Sequence, residues 1–262
     1  MDTFGDRMKS YEGREAGRRT LPGLPVVARL DGKGFSKWTK GLEYPFDPNM
    51  QKLREEVTTF LVQETNAAIG YCQSDEITLV WGGNLVYCEG RIQKMTSILA
   101  SMATAQFNAR VPKHLPQKVG TPAYFDARVW EMPSEIEAVN AILWRELDAT
   151  KNSISMAARS VYSHKEMHGK EGSELQEMLF QKGINWNDYP TWAKRGTYIG
   201  RRTFDRVLTP EELADLPPLH TARRNPNMVV RRSKVTTLDM PPFAAVMNRV
   251  GVVFSGLDPF AL

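Results

Sequence analysis

Two short segments combine the residue types and positions that phosphate chemistry needs. Arg29-Leu30-Asp31-Gly32-Lys33-Gly34-Phe35-Ser36 closes one apolar run, and Gln73-Ser74-Asp75-Glu76-Ile77 lies between two others. Each puts a carboxylate where a strand should stop. If the two strand ends meet, Asp31 and Asp75 form a pair able to hold divalent metal against a nucleoside triphosphate. Mg²⁺ needs hard oxygen ligands and keeps several waters, so one or two carboxylates plus phosphates suffice. Two such ions clamp the attacking and leaving oxygens of an in-line transfer. The Gly32 carbonyl can add a ligand, because glycine lets the backbone approach closely. Glu76, beside Asp75, is a further candidate, either at the catalytic centre or as support behind it. Singly, each Asp reads better as a turn or capping residue than as a metal ligand; the pair makes a site only on a topology that unites them.

Other polar clusters surround this pair. Lys33, Gly34, Phe35 and Ser36 offer successive backbone N–H groups, an ammonium and a hydroxyl just past a strand, which is the chemistry of an anion nest. The spacing of a Walker A loop is absent. Arg91, Lys94 and Ser97 share one stripe of a helix, suited to a solvated face or to a second triphosphate or RNA 5′ end. Arg223, Arg224, Arg231, Arg232 and Lys234 fall between Thr221 and Thr237 with no acid among them. That run fits a solvated strand-loop-strand surface as well as a nucleic-acid contact. His164 and His168 lack a third ligand at useful spacing for zinc.

The elements that must position these groups follow from hydrophobic period. Phe4, Met8 and Tyr11 predict an amphipathic helix over residues 3–18. Residues 24–30 read as a strand buried on both faces. Asp47 before Pro48 is a helix start, with a side-chain acceptor at N-cap and proline at N1. Met50, Leu53, Val57, Phe60, Leu61 and Thr65 mark its buried side. Residues 70–73 and 77–81 read as strands around Ser74-Asp75. Ile92, Met95, Ile98, Leu99, Met102 and Phe107 define a helix over 91–110, and residues 123–129 alternate as a fourth strand. Strand, helix, strand, strand, helix, strand is the α+β, ferredoxin-like β-α-β-β-α-β arrangement of polymerase palms. In it the end of strand one and the turn between strands two and three emerge at one edge. Residues 1–133 are therefore expected to be a palm-like core. Residues 134–262 are expected to be a C-terminal half of helices (134–147, 152–162, 173–181) and short apolar runs near Tyr198, Met228–Val230 and Val250–Phe254, packed on the same core.

Composition sets broad bounds. The 262 residues are 42% hydrophobic and 24% charged, with no run long enough to span a membrane and no apolar signal core at the N-terminus. Cys72 and Cys88 are too few for a disulfide framework, so a cytoplasmic location is expected. Net charge is +4, which permits a polyanionic partner without demanding one.

Taken together, the two acidic segments resemble those of the tRNA-histidine guanylyltransferase family and its bacterial, archaeal and phage-type like-proteins. Arg29-Leu30-Asp31-Gly32 with Phe35 is similar to the family's first metal motif, and Gln73-Ser74-Asp75-Glu76 to its second. Arg91-x-x-Lys94-x-x-Ser97 resembles its triphosphate-binding helix, and Phe125-Asp126-x-Arg128 its fourth palm strand. Gly183-Ile184-Asn185-Trp186-Asn187 with Trp192-Ala193-Lys194-Arg195-Gly196-Thr197 resembles a segment of the like-proteins. The resemblance spans residues 5–205. It departs at Thr150-Lys151-Asn152-Ser153, where family members usually carry His-Ile-Asn-Asn.

The resemblance implies a reverse, 3′-to-5′ nucleotidyltransferase that activates a 5′-monophosphorylated tRNA with ATP and then adds GTP or another NTP. It implies a homotetramer with two Mg²⁺ per site. Asp31, Gly32 and Asp75 would hold metal. Lys33, Gly34, Phe35, Ser36 and Ser74 would hold a triphosphate, with Asp47 at the base or serving only as a helix cap. Arg91, Lys94 and Ser97 would hold a second triphosphate or the 5′ end. Asn152, Lys194 and Arg195, with Arg223, Arg224, Arg231 and Arg232, would contact RNA. Two alternatives use the same core: a metal-dependent nucleotide cyclase and a non-catalytic RNA-binding module.

Overall fold

Strands β1 (Val26–Gly32), β2 (Ile69–Gln73), β3 (Glu76–Trp81) and β4 (Phe125–Glu131) form where β-branched and aromatic residues concentrate. The computed structural model describes residues 3–84, 87–225 and 227–261. Strands β5 (Thr197–Val207) and β6 (Val229–Leu238) complete a six-stranded sheet of order β4-β1-β3-β2-β5-β6, with every neighbouring pair antiparallel. β1 and β2 thus run the same way with β3 reversed between them, as the ferredoxin-like order requires.

The helices are α1 (Phe4–Ala16), α2 (Phe35–Trp38), α3 (Pro48–Thr65), α4 (Ile92–His114), α5 (Glu135–Arg159), α6 (His164–Met167), α7 (Gly172–Gln181), α8 (Thr191–Arg195), α9 (Pro210–Asp215), α10 (Thr221–Arg224) and α11 (Arg249–Phe254). α3 and α4 cover one face of the sheet. There Leu53, Val57, Leu61, Met95, Leu99 and Phe107 meet Ala28, Leu30, Ile77, Leu79 and Phe125. On the opposite face Val27, Val80, Tyr71 and Tyr198 pack under Ala138, Val139 and Ile142 of α5 and under Phe243 and Val252 near the C-terminus. Alternation along β1 therefore sends Ala28 and Leu30 to one layer and Val27, Arg29 and Asp31 to the other.

Three sequence expectations are corrected. The helices expected over 134–147 and 152–162 are one helix, α5. Residues 148–151, the expected gap, are helical within it: Thr150 Oγ1 donates to the Glu146 carbonyl (2.9 Å), and Asp148 Oδ2 accepts from Asn152 Nδ2 (3.1 Å). The apolar runs near Tyr198 and Met228 are parts of the long strands β5 and β6, and residues 250–254 are helical in α11. Ile98, expected on the buried side of α4, is exposed.

Candidate active site

β1 runs toward Gly32 and β3 away from Glu76, so the end of β1 and the β2–β3 turn share one edge of the sheet. Asp31 lies opposite Glu76 in the ladder, and the Gly32 N–H donates to the Asp75 carbonyl (3.1 Å). Asp31 and Asp75 are brought together and both are half-buried. Burial, and then the Asp31 charge, push the Asp75 carboxyl above the usual carboxylate range. A carboxylate raised by burial and by its neighbour's charge marks a concentration of negative charge that a divalent cation relieves. The donors are hard oxygens, which suit Mg²⁺. Among the described residues no group of three or more His, Cys, Asp or Glu is placed to hold a metal by itself. The pair therefore fits a cation that also takes phosphate oxygens, and His164 and His168 belong to no metal cluster.

The turn that carries Asp75 is held from behind. Ser74 adopts a positive φ of 48°, uncommon for a residue with a side chain. Arg54, buried on α3, donates through Nη1 to the Ser74 carbonyl. Gly32 is required by packing: a Cβ there would overlap the Phe35 ring. Phe35 itself is buried among Trp38, Phe107 and Phe125. Its ring is core, so what it offers the expected triphosphate loop is its backbone N–H. Lys33, Gly34 and Ser36 are exposed beside it, and Gly34 takes the left-handed conformation (φ 67°) that starts α2.

Glu76 departs from the expectation of a catalytic carboxylate. Arg145 of α5 grips it in a bidentate pair, Nε to Oε1 at 2.5 Å and Nη2 to Oε2 at 2.7 Å, with Arg29 Nε 3.7 Å from Oε2. Both oxygens are committed and Glu76 is only 7% exposed, so it positions the turn rather than binding metal. Burial raises its carboxyl and Arg145 pulls it back down. Arg145 also donates to Asp148 Oδ2 (3.1 Å), which accepts from Asn152. Asn152 is thereby tied to the site by a chain of polar contacts. Arg54 and Arg145 were missed as functional groups. An arginine among the apolar positions of a predicted helix was the available signal.

Asp47 is likewise committed to structure. Its Oδ1 accepts from the N–H groups of Asn49 (2.8 Å) and Met50 (3.0 Å) and its Oδ2 from Glu43 (3.0 Å), which leaves it a helix cap rather than a base contact. Arg91, Lys94 and Ser97 are not brought to the carboxylates. Phe125, opposite Gly32, donates its N–H to Thr104 Oγ1 of α4 (3.1 Å). Lys94 lies about 15 Å earlier along that helix, toward the far end of the sheet. Lys94 and Ser97 are exposed there, and Arg91 pairs with Glu89 (3.0 Å).

The remaining expected RNA contacts divide. Lys194 donates to the Asn187 carbonyl (2.5 Å) and sits over the Trp186 ring. Arg195 lines an open cavity of about 400 Å³ with Glu55, Glu146 and Trp192. Arg223 donates to the Leu213 and Ala214 carbonyls, and Arg231 pairs with Asp205 across the β5–β6 ladder (3.0 Å), so both are engaged within the chain. Arg224 and Arg232 are exposed, and neither forms an ion pair among the described residues.

The family model described as tRNAHis guanylyltransferase matches residues 5–133. A bacterial tRNA(His) guanylyltransferase-like protein solved in complex with ATP is 32% identical with a TM-score of 0.77, covering 97% of this chain and 98% of its own. A GTP complex of such a protein is 30% identical with a TM-score of 0.68, covering 92% and 93%. The tRNA(His) guanylyltransferase of Schizosaccharomyces pombe is 29% identical over 213 residues, 76% of this chain and 80% of its own. Strand order, the juxtaposed carboxylates and these likenesses agree, and the chain belongs to the tRNA(His) guanylyltransferase family.

Proposed function

We propose that this chain is a nucleotidyltransferase that adds nucleotides in the 3′-to-5′ direction to the 5′ end of tRNA. The observation that carries the reading is the meeting of Asp31 and Asp75 at the open edge of a palm-type sheet. In the reaction, an oxygen of the RNA 5′-monophosphate attacks the α-phosphorus of ATP and pyrophosphate leaves. The 3′-hydroxyl of GTP or another NTP then attacks the activated 5′-phosphorus and AMP leaves.

Asp31, Asp75 and the Gly32 carbonyl would hold two Mg²⁺, which supply charge neutralisation and in-line clamping of phosphate oxygens. Lys33, Gly34, the Phe35 N–H and Ser36, with Ser74 in the facing turn, would orient a triphosphate. Glu76 and Arg145 keep the Asp75 turn in register, and Arg54 holds it from the other layer. Residues 1–133 act as the palm, and 134–262 brace it and contact RNA.

Because Lys94 lies far from its own carboxylates, its stripe would serve either a distant RNA phosphate or the site of a neighbouring subunit. A homotetramer accommodates the second role. The exposed apolar stripe of α1 (Phe4, Met8 and Tyr11) suits contact with a second copy.

The family's His-Ile pair is replaced by Thr150, whose hydroxyl donates to the Glu146 carbonyl (2.9 Å), and by exposed Lys151. A broad range of truncated tRNAs, with the opposing base choosing the nucleotide, follows from that replacement. Among the described residues no helix is long and apolar enough to cross a membrane, and a cytoplasmic site of action is proposed.

The test uses a 5′-labelled, monophosphorylated tRNA lacking its first nucleotide, with ATP, each NTP and Mg²⁺. Lengthening at the 5′ end by a nucleotide complementary to the opposing base is expected. Product formed from ATP or GTP without RNA, and no extension, would instead indicate the cyclase reading.

A further inference from the structure

The cavity beside α8 lies at the same edge of the sheet as the carboxylates. Asp31 and Gln73 flank Glu76 in the ladder, and Cys72, next to Gln73, pairs with Thr197 of the cavity wall. Three strand spacings therefore separate Asp31 from Thr197, about 14 Å. The backbone that carries the wall is fixed. The Tyr71 hydroxyl donates to the Arg195 carbonyl (2.8 Å) and Ser153 Oγ to the Lys194 carbonyl (3.1 Å). Gly196 takes a positive φ of 77°, where a Cβ would strike the Tyr71 hydroxyl and the Cys72 carbonyl. Leu238 and Met240 contribute buried apolar surface, and the half-buried Trp192 contributes an aromatic ring. Two acids of the lining are committed. Glu55 accepts from Gln51 Nε2 (2.7 Å), and Glu146 accepts from the Tyr198 hydroxyl (2.7 Å) and the Phe243 N–H (2.8 Å). The Arg195 guanidinium has neither a hydrogen-bond nor an ion-pair partner among the described residues, and Asp239 is exposed without a cation.

We infer that this cavity takes a nucleotide of the unpaired 3′ extension of the RNA whose 5′ end is lengthened, its base against Trp192 and its phosphate on Arg195. The inference rests on the tRNA reading above and deepens it with a second subsite. A ring, an unpaired guanidinium and an uncommitted carboxylate match the parts of a nucleotide: a base face, a phosphate and an exocyclic amino group. A cavity of about 400 Å³ admits one nucleotide and excludes a base-paired end. The free guanidinium decides which nucleotide. A triphosphate held at the carboxylates would bring only its sugar and base this far, whereas a nucleotide within a chain carries a phosphate beside its base. Position agrees. The strand opposite a tRNA 5′ end runs on as a short unpaired extension, and unstacked bases of that kind splay out onto aromatic side chains. Held beside the acidic edge, the extension cannot fold back over Asp31 and Asp75, and the templating base stays opposite the incoming nucleotide.

The test uses the full chain and two 5′-truncated, monophosphorylated tRNAs. One keeps its unpaired 3′ extension, and the other is trimmed back to the base opposite the missing position. Binding of each is measured for wild type, Trp192→Leu and Arg195→Gln, with ATP affinity and melting midpoint in parallel. Wild type should bind the untrimmed RNA about tenfold more tightly, the scale of one base stacked on an aromatic ring. Each substitution should cut that advantage to about twofold or less, and Arg195→Lys, which keeps the charge, should restore part of it. If Trp192→Leu melts early through its lost contact with Phe46, the Arg195 variants, whose side chain has no partner to lose, decide the matter. Equal wild-type affinity for the two RNAs would overturn the inference, and 5′ extension of the trimmed RNA would leave the proposed function standing. An advantage kept by both variants would overturn the assignment of the 3′ extension to this cavity. Lost ATP affinity with the advantage kept would overturn it in favour of a pocket for the base of a triphosphate. Neither RNA bound or extended by wild type would overturn both readings.

Discussion

Removing Arg145 tests the claim that Glu76 is a positioning group. In Arg145→Ala, helix α5 loses no propensity, because alanine is the best helix former. The loss therefore falls on the carboxylate. Glu76, 7% exposed in the intact protein, would be left at the start of β3 with Arg29 Nε at 3.7 Å as its nearest cation. Deleting one partner of a buried ion pair costs about 3–5 kcal/mol, since the other charge stays buried without compensation. Arg29 offsets part of this, which places the expected loss near the lower end, about 3 kcal/mol. For a chain of this size each kcal/mol moves the midpoint by about 2–4 °C, so the variant should melt about 6–12 °C below wild type at neutral pH.

The pH dependence fixes the cause. Without Arg145, burial and the Asp31 charge outweigh Arg29 and hold the Glu76 carboxyl above the unfolded value. A group raised on folding contributes stability that is fully present below its unfolded pKa and lost as pH rises through its folded pKa. The deficit should therefore be small in acid and grow toward neutrality. Thermal melts of both proteins between acid and neutral pH measure it, and Glu76→Gln/Arg145→Ala should recover part of the midpoint with a flatter pH response. Turnover should fall with Arg145→Ala because Asp75 is the adjacent residue. A midpoint within 2 °C of wild type at neutral pH, or a deficit of equal size at every pH, would refute the argument.

Other expectations follow from the same site. Asp75→Asn should abolish nucleotide addition yet raise the midpoint of the metal-free protein at neutral pH. It removes a carboxyl that burial and Asp31 hold above its ordinary value, and the gain should vanish in acid, below the unfolded pKa. Asp47→Ala should cost about 1–2 kcal/mol in chemical denaturation, because three backbone N–H groups lose their acceptor. Its ATP affinity should hold, and a collapse of that affinity without loss of stability would make Asp47 a nucleotide contact. Gly32→Ala should cost about 1–3 kcal/mol by driving a methyl into the Phe35 ring, with turnover reduced as Asp31 shifts. Full stability in that variant would show that the loop yields freely.

The carboxylate pair was legible because strand ends are punctuated locally: an apolar run, then Asp and Gly, is read without knowing the partner strand. The partners of those acids were not legible in the same way. Glu76 and Arg145 are 69 residues apart, and only the crossing of α5 over the sheet joins them. Helical period marked Arg91, Lys94 and Ser97 as one stripe, but period gives a face and not a place along the sheet. Topology supplies the place. β3 leaves the acidic edge at Glu76 and ends at Trp81 beside Val26, so the helix that follows must start at the far end and return. The N-terminal third of α4 is thereby held away from Asp31 by the same chain direction that brings Asp75 to it. Strands β5 and β6 show the converse case. Arg202, Phe204, Arg206, Arg232 and Lys234 alternate with period two across β5 and β6, yet the basic run was counted as a block of charge. Period two separates Arg231 from Arg232, giving one an acid to pair with and leaving the other exposed beside Phe204. Net charge along a segment therefore says little about binding until the pleat assigns each cation to a face.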